Sequence, residues 1–440
     1  MGIKIEREWT SRFESGSRRQ RASGTYWAYQ PCTLSDCAFA LPKELSLRIA
    51  NCETQIRDLL SDQKVLADLS GVNRFLLRSE AIASSQIEGV APAARRVALA
   101  ELNQLFGAKA KVSEEAELVA RNLTTVKNAT IELASAPEIT WEAIESLEKA
   151  LLDDENIGLR QVQNWVGGSS YNPLEAEYVP PIPESLPELC GDLVDYLNGA
   201  SHSALVQAAL VHAQFETIHP FVDGNGRIGR ALIQTVLVRR GLTPSAVLPI
   251  SQILSTWRER YSQALNDFRV EGECNSTEQQ TAIVSWLIFF ISVCEKAVEL
   301  AQELGEQLLE LRQGWEAQLE QYLAKQPRQK TLRHDSATAI ILRGMSATPV
   351  MTVRSAAQIY GLSESSAKRA LDMLCDAGIL AVSGEGSTKG RKGSTDFFRN
   401  DDLLNLLTLN ERRYASTQFN TQISKPNRST PAPLSRPSEA

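Results

Sequence analysis

Twelve consecutive residues, His219 to Arg230, set an imidazole, a carboxylate, a glycine-rich turn and two arginines at fixed spacing. Gly224 and Gly226 lack side chains, so successive backbone N–H groups can turn inward around an anion, and the apolar helix that follows points its positive N-terminal end at the same place. Arg227 and Arg230, three apart, share one side of that helix and can hold outer phosphates bidentately. Asp223 offers hard oxygen to Mg²⁺, an ion that takes one or two carboxylates together with substrate phosphates. His219 is the available general base, neutral near pH 7 even with an unperturbed imidazole. Each part is commonplace alone. Together they describe a nucleoside-triphosphate site whose chemistry is in-line positioning and charge neutralisation, with no nucleophilic Cys or Ser required.

The elements that must position these groups are helical. From about Pro42 to Leu323 apolar residues recur at spacings of three and four, which predicts an all-α body with helices over 43–69, 73–88, 115–134, 141–152, 186–198, 203–217, 225–240, 257–269 and 278–324. Between Gly158 and Pro183 the period breaks at Gly167-Gly168-Ser169-Ser170 and Tyr178-Val179-Pro180-Pro181, the mark of a short hairpin or flap over 165–183.

At 440 residues the chain has room for about three domains, and its 43% hydrophobic and 22% charged composition is that of a globular protein. A net charge of -7 argues against wholesale coating of nucleic acid. The seven cysteines are scattered without zinc-like spacing, so reduced thiols and a cytoplasmic location are expected. The polar, arginine-rich start has no apolar core segment of a secretory signal. The run Ile283 to Cys294 is too short to span a bilayer and reads as a buried helix, with no membrane partner.

After Lys325 the pattern changes to helix (353–360), turn at Gly361, helix (365–377) with Ser363 as N-cap, then strands over 379–382 and 395–399 flanking a Gly/Lys/Arg loop, 384–393. This resembles a small α+β winged-helix domain over 326–412. Eleven Lys or Arg against six Asp or Glu between Arg328 and Arg399 favour an anionic partner. DNA is the candidate, through Lys368 and Arg369 in the second helix and Lys389, Arg391 and Lys392 in the loop. Beyond Arg413 the composition predicts a disordered tail, 413–440.

The block His219, Phe221, Asp223, Gly224, Asn225, Gly226, Arg227, Arg230 is identified with the signature of the Fic family, His-x-Phe-x-(Asp/Glu)-Gly-Asn-Gly-Arg-x-x-Arg, without a departure. The resemblance extends to a subgroup with an N-terminal helical region carrying an inhibitory helix (here 1–112), a Fic core (113–325) and a C-terminal winged helix. It implies a protein adenylyltransferase that moves AMP from ATP to a Ser, Thr or Tyr hydroxyl of a target protein and releases pyrophosphate. His219 would be the base, Asp223 the Mg²⁺ ligand, Gly224, Asn225 and Gly226 the anion hole, Arg227 a phosphate contact and Arg230 the γ-phosphate grip.

Ser84-Ser85-Gln86-Ile87-Glu88-Gly89 matches the family's inhibitory pattern, (Ser/Thr)-x-x-x-Glu-(Gly/Asn). Ser84 and Glu88 share one helix face and Gly89 stops the helix, so Glu88 is a carboxylate at a helix C-terminus, mildly unfavourable unless a cation compensates. The family supplies Arg230 as that cation. In the family the flap pairs with a target segment by strand addition, which makes Asn172, Pro173, Glu175 and Tyr178 candidates to face the target. Tyr261, Leu265 and Trp257 are candidates to wall the adenine. Other readings stay open: a winged-helix DNA-binding regulator with a nucleotide-sensing Fic domain, Glu88-assisted removal of AMP, and a homodimer. Doc-type phosphorylation is disfavoured because those relatives carry a lysine near the second glycine, which here is Gly226.

Overall fold

The structure is a computed structural model that describes residues 2–11, 13–61, 69–152, 157–243, 247–326, 332–383 and 396–416. Its centre is α7 (Ala204–Ile218), buried at every position, its polar Gln207, His212, Gln214, Glu216 and Thr217 included. Around it pack α6 (Leu186–Asn198), α8 (Asn225–Arg239), α10 (Arg258–Phe268) and α11 (Thr277–Ala324). The helix α11 is long and apolar enough to cross a membrane. Trp286, Leu287, Phe290, Val293 and Cys294 instead lie in the core, as the apolar run predicts.

A second layer carries α1 (Lys43–Ser61), α2 (Leu69–Ile87), α3 (Ala94–Phe106), α4 (Glu114–Asn128), which runs into a π-helical turn at Ala129–Leu133, α5 (Trp141–Leu152) and α9 (Ile250–Thr256). The helix expected over 43–69 is described over Lys43–Ser61, and 62–68 lie outside the described residues. The helices α3 and α9 were not expected. Both start on residues that donate no side-chain cap, Ala93 and Pro249, so the usual start signal is missing.

The start of the expected helical region 1–112 is instead built of strands. Residues Gly2–Trp9 (β1) and Gly24–Pro31 (β2) form an antiparallel hairpin in register from Gly2 opposite Pro31 to Trp9 opposite Gly24. In β2 Tyr26 and Ala28 are buried while Thr25 and Trp27 face solvent, the period-two pattern of a half-buried strand. The strand β1, with Lys4, Glu6, Arg7 and Glu8, is a charged edge and hides that signal.

The thiol expectation is corrected as well. Cys32 and Cys274 form a disulfide across 242 residues of sequence, with Cα atoms 6.3 Å apart, and no local spacing announces such a pair. The bond removes the thiol argument for a reducing compartment. Cys37, Cys52, Cys190, Cys294 and Cys375 are free.

The C-terminal segment holds α12 (Ala337–Gly344), β3 (Val350–Met351), α13 (Val353–Tyr360), α14 (Glu364–Asp376), β4 (Ala381–Ser383), β5 (Phe397–Arg399) and α15 (Asp401–Ser416). The strands make a three-stranded sheet in the order β3-β5-β4. The expected basic loop 384–393 lies outside the described residues, as do positions 417–440 of the expected tail; residues 413–416 are helical rather than disordered.

Candidate functional site

The signature loop is the link between two antiparallel core helices, and both of its ends are left-handed. His219 caps α7 with φ 50° and Gly224 caps α8 with φ 83°. Glycine accepts that backbone freely; for His it costs about 1 kcal/mol or more and needs fixing from outside. Phe221 supplies one anchor, fully buried against Phe215 and Trp141. Asn225 supplies another: its Oδ1 accepts from the Phe221 N–H at 2.9 Å and its Nδ2 donates to the Phe221 carbonyl at 2.9 Å. The Asn225 side chain is thus consumed in bracing the loop, and its part in the anion hole is left to the backbone N–H. The first-turn N–H groups of α8 are those that helix geometry leaves unpaired.

Arg160 supplies a third anchor that sequence reasoning missed. Buried to 2% exposure, it donates to the carbonyls of His219 (2.9 Å), Val162 (3.2 Å) and Pro181 (2.5 Å). It thereby fastens the signature loop to the flap at Pro181 and to the segment leading into it at Val162. Burial pulls its guanidinium down to about 10, still charged at neutral pH. Arg269 is a second unforeseen cation. It donates to the Glu216 carbonyl and Thr217 Oγ1 and lies 3.7 Å over the Tyr178 ring.

These surroundings set the state of His219. Burial first, then the charges of Arg269 and Arg160, lower its imidazole to about 4. The ring is therefore neutral at pH 7, as a base must be.

Arg227 is 4% exposed and touches both Asp223 oxygens at 3.2 Å through one nitrogen. Its Nε and Nη1 are buried without a partner. Buried guanidinium N–H groups without acceptors are costly, and an anion at the α8 N-terminus would satisfy them. Asp223 is 69% exposed at its side chain and accepts from the Gly224 N–H, leaving oxygen lone pairs facing solvent. One accessible carboxylate beside an anion site fits Mg²⁺, which draws most of its ligands from phosphate and water.

Arg230, 2% exposed, is fully engaged with the end of α2. Its Nε donates to Ser84 Oγ at 3.0 Å, and its Nη2 to the Ser84 carbonyl and Glu88 Oε1, each at 2.8 Å. Burial would raise the Glu88 carboxyl, but the charge and hydrogen bond of Arg230, with help from Arg227, hold it below the usual carboxylate range. The α2 helix ends here by turn bonds from Glu88 and Val90 N–H to the Ser85 carbonyl, with Gly89 at φ 83°. Gly226 makes the contact possible: an added Cβ would overlap Glu88 Oε1.

Behind Arg230 lies a buried group that no spacing rule flags. Glu216 has an unpartnered Oε1, and burial raises its carboxyl to about 7. His212, lowered by burial to about 3, shares a 2.8 Å hydrogen bond with the Tyr261 hydroxyl. Gly229 lets α8 ride close enough for this, since a Cβ there would meet Glu216 and Phe215. Tyr261, proposed above for an adenine pocket, is a core ring stacked on His212. Leu265 is likewise core, while Trp257 is half-buried under Arg260.

The flap residues are corrected. Asn172, Pro173 and Tyr178 are buried and face the protein rather than a target. Asn172 donates to the Arg19 carbonyl and the Tyr178 hydroxyl to the Thr217 carbonyl; Glu175 alone of that group is exposed. The expected hairpin is reduced to one bridge, Val166 to Tyr178, and a 3₁₀ turn at Pro173–Glu175. In the C-terminal segment, Lys368 pairs with Asp372 and lies 5.6 Å from the Phe398 ring centre, and Arg369 folds back on the Ser365 carbonyl.

Comparison with known proteins agrees with this geometry. Residues 138–237 match the Fic/DOC family. A probable protein adenylyltransferase of Aquifex aeolicus is 36% identical over 91 residues, 20% of this chain and 28% of that protein. Protein adenylyltransferase Fic of Drosophila willistoni is 30% identical over 216 residues, 46% of this chain and 40% of the other. The chain thus spans less than half the length of these relatives. The crystal structure of a Fic family protein from Desulfovibrio desulfuricans covers 82% of this chain and 97% of its own, at 19% identity and a TM-score of 0.48. The matched stretch, 138–237, contains the whole signature loop, so this part of the chain is similar to the Fic/DOC family.

Proposed function

We propose that the protein is an adenylyltransferase acting on protein hydroxyls and held at rest by Glu88. The observation that carries this reading is the contrast between its two arginines: Arg227 has buried nitrogens in want of an anion, while Arg230 is occupied by Ser84 and Glu88. Phosphates of ATP fit the N-terminus of α8 with Arg227, and Asp223 would hold Mg²⁺, which when bound neutralises phosphate charge. Neutral His219 accepts the proton of the target hydroxyl as its oxygen bonds to the α-phosphorus; the bond to the β-phosphate bridge breaks and pyrophosphate leaves. With Arg230 bound to Glu88, the γ-phosphate lacks its grip and ATP lies in an unproductive pose. The C-terminal segment is read as a winged helix, an accessory module for DNA or a protein partner. The deciding experiment uses ATP labelled on the α-phosphate: Glu88→Gly should incorporate label at least tenfold above the parent, and His219→Ala in that background should abolish it. Equal labelling by Glu88→Gly and the parent removes the inhibition, and transfer from the γ-phosphate instead removes AMP transfer.

A further inference from the structure

The helix α2 is not the only element that holds Arg230. Ser84 and Glu88 take its Nε and Nη2. A further hydrogen bond from Arg230 reaches the Tyr261 hydroxyl of α10, and that hydroxyl lies 2.8 Å from His212 Nε2 of α7. All three side chains are buried. The imidazole is fixed in turn: it stacks on the rings of Tyr261 and Trp286 at 5.8 and 6.1 Å, and the Trp286 indole donates to the Ala209 carbonyl at 2.8 Å.

The direction of these bonds follows from what each group can offer. A guanidinium has donors only, so the Tyr261 oxygen accepts from Arg230. The Tyr261 hydrogen is then left for His212 Nε2, which can accept because burial keeps the imidazole neutral. Burial likewise keeps the phenol protonated. Arg230 is thus met by an uncharged partner, which orients the guanidinium without neutralising it. A carboxylate does both, and Glu88 at 2.8 Å competes with any phosphate for the same charge. Glu216 is no second brake through its Oε1, which lies 2.7 Å from where a Gly229 Cβ would stand and has no partner. Withdrawal of Ser84 and Glu88 leaves Tyr261 in place, because it stands on α10 and not on the helix that carries them.

Resting on the reading above, in which Arg230 grips the γ-phosphate once Glu88 lets go, we infer that Tyr261, backed by His212, is a positioning residue for that grip. It keeps the freed guanidinium aimed at the nucleotide, where an untethered arginine would lose rotamer entropy on binding. The same arginine is held off by a charged partner on α2 and held ready by a neutral one on α10.

The test measures binding rather than turnover. In the Glu88→Gly/His219→Ala protein, which lacks both the brake and the base, calorimetry in the presence of Mg²⁺ gives the affinities for ATP and ADP, and their ratio reads the γ-phosphate contact. Tyr261→Phe keeps the ring and its stack; it should weaken ATP roughly tenfold and leave ADP unchanged, taking the ratio towards the floor set by Arg230→Ala. His212→Phe, a ring without an acceptor, should lower the ratio in the same direction, whereas His212→Gln, whose carbonyl can accept from Tyr261, should keep the preference for ATP. An unchanged ratio in Tyr261→Phe overturns the inference. So does an equal weakening of ATP and ADP, or the same loss in both His212 variants, since either is the mark of packing alone. Equal affinity for ATP and ADP before Tyr261 is altered defeats instead the reading of Arg230 as the γ-phosphate grip, and this inference with it.

Discussion

The carboxylate of Glu88 occupies the space where a methyl group on residue 226 would have to be. The second glycine of the signature loop is therefore also the floor on which the Glu88 carboxylate rests. Gly226→Ala should cost the parent about 1–3 kcal/mol of stability, the usual price of overpacking, and clearly less in a Glu88→Gly background, where the nearest remaining neighbour is an arginine tip at 3.0 Å. Thermal denaturation of the four proteins in a double-mutant cycle reads the coupling. Additive losses would show that Glu88 does not sit on Gly226.

Ser84 holds the same arginine, accepting from Arg230 Nε, and under the proposed inhibition it belongs to the lock. Ser84→Ala leaves that buried N–H without an acceptor but spares the bonds to the Ser84 carbonyl and Glu88. A lost bond to a charged donor is worth about 1.5–3 kcal/mol, which strengthens any competing acceptor for Arg230. AMP transfer by Ser84→Ala should fall between that of the parent and Glu88→Gly, measured by labelling rates at fixed ATP. A rate at or below the parent's would remove Ser84 from the lock.

His219, lowered to about 4 by burial and by Arg269 and Arg160, stays neutral until the medium is strongly acid. In the Glu88→Gly protein, which lacks the one nearby carboxylate that raises this value, the rate should be flat from neutrality to about pH 5, well below the ordinary imidazole value near 6.5. Arg269→Gln should move the acid limb upward. Half-maximal activity near pH 6.5 in Glu88→Gly would contradict the assignment.

Glu216 has the opposite sign. Its carboxyl is raised to about 7, so its protonated form favours the fold, and that contribution is lost as pH rises through about 7. Glu216→Gln, which keeps the shape of the protonated form, should gain melting temperature over the parent by an amount that grows between about pH 5 and pH 8. Glu80, also raised to about 7, is common to both proteins and cancels in the difference. A gain independent of pH would mean that Glu216 does not titrate in the fold.

The signature loop and the helices around it were legible because their signals are local. Helices α5 and α6 fall on the expected residues, 141–152 and 186–198, and Ser84, Glu88 and Arg230 meet as the motif pair implies. What stayed hidden depends on contacts with no sequence period. Arg160 is defined by backbone carbonyls from three segments, Cys32 by a partner 242 residues away, and the flap by the β2 strand that covers Val179. Asn172 and Tyr178 were expected to face outward because the flap was read without that cover.

Arg78 lies on α2, nearly three turns ahead of Glu88, and holds Glu101 of α3 at 2.7 Å and the Ala347 carbonyl of the C-terminal segment at 3.3 Å. A helix transmits displacement along its axis as a stiff rod, and from Arg78 to Ile87 that rod is roughly 13 Å long. The helix end that meets Arg230 and the turn Met345–Ala347 are therefore mounted on one shaft, with the C-terminal segment tied to the same element that carries Ser84 towards Arg230.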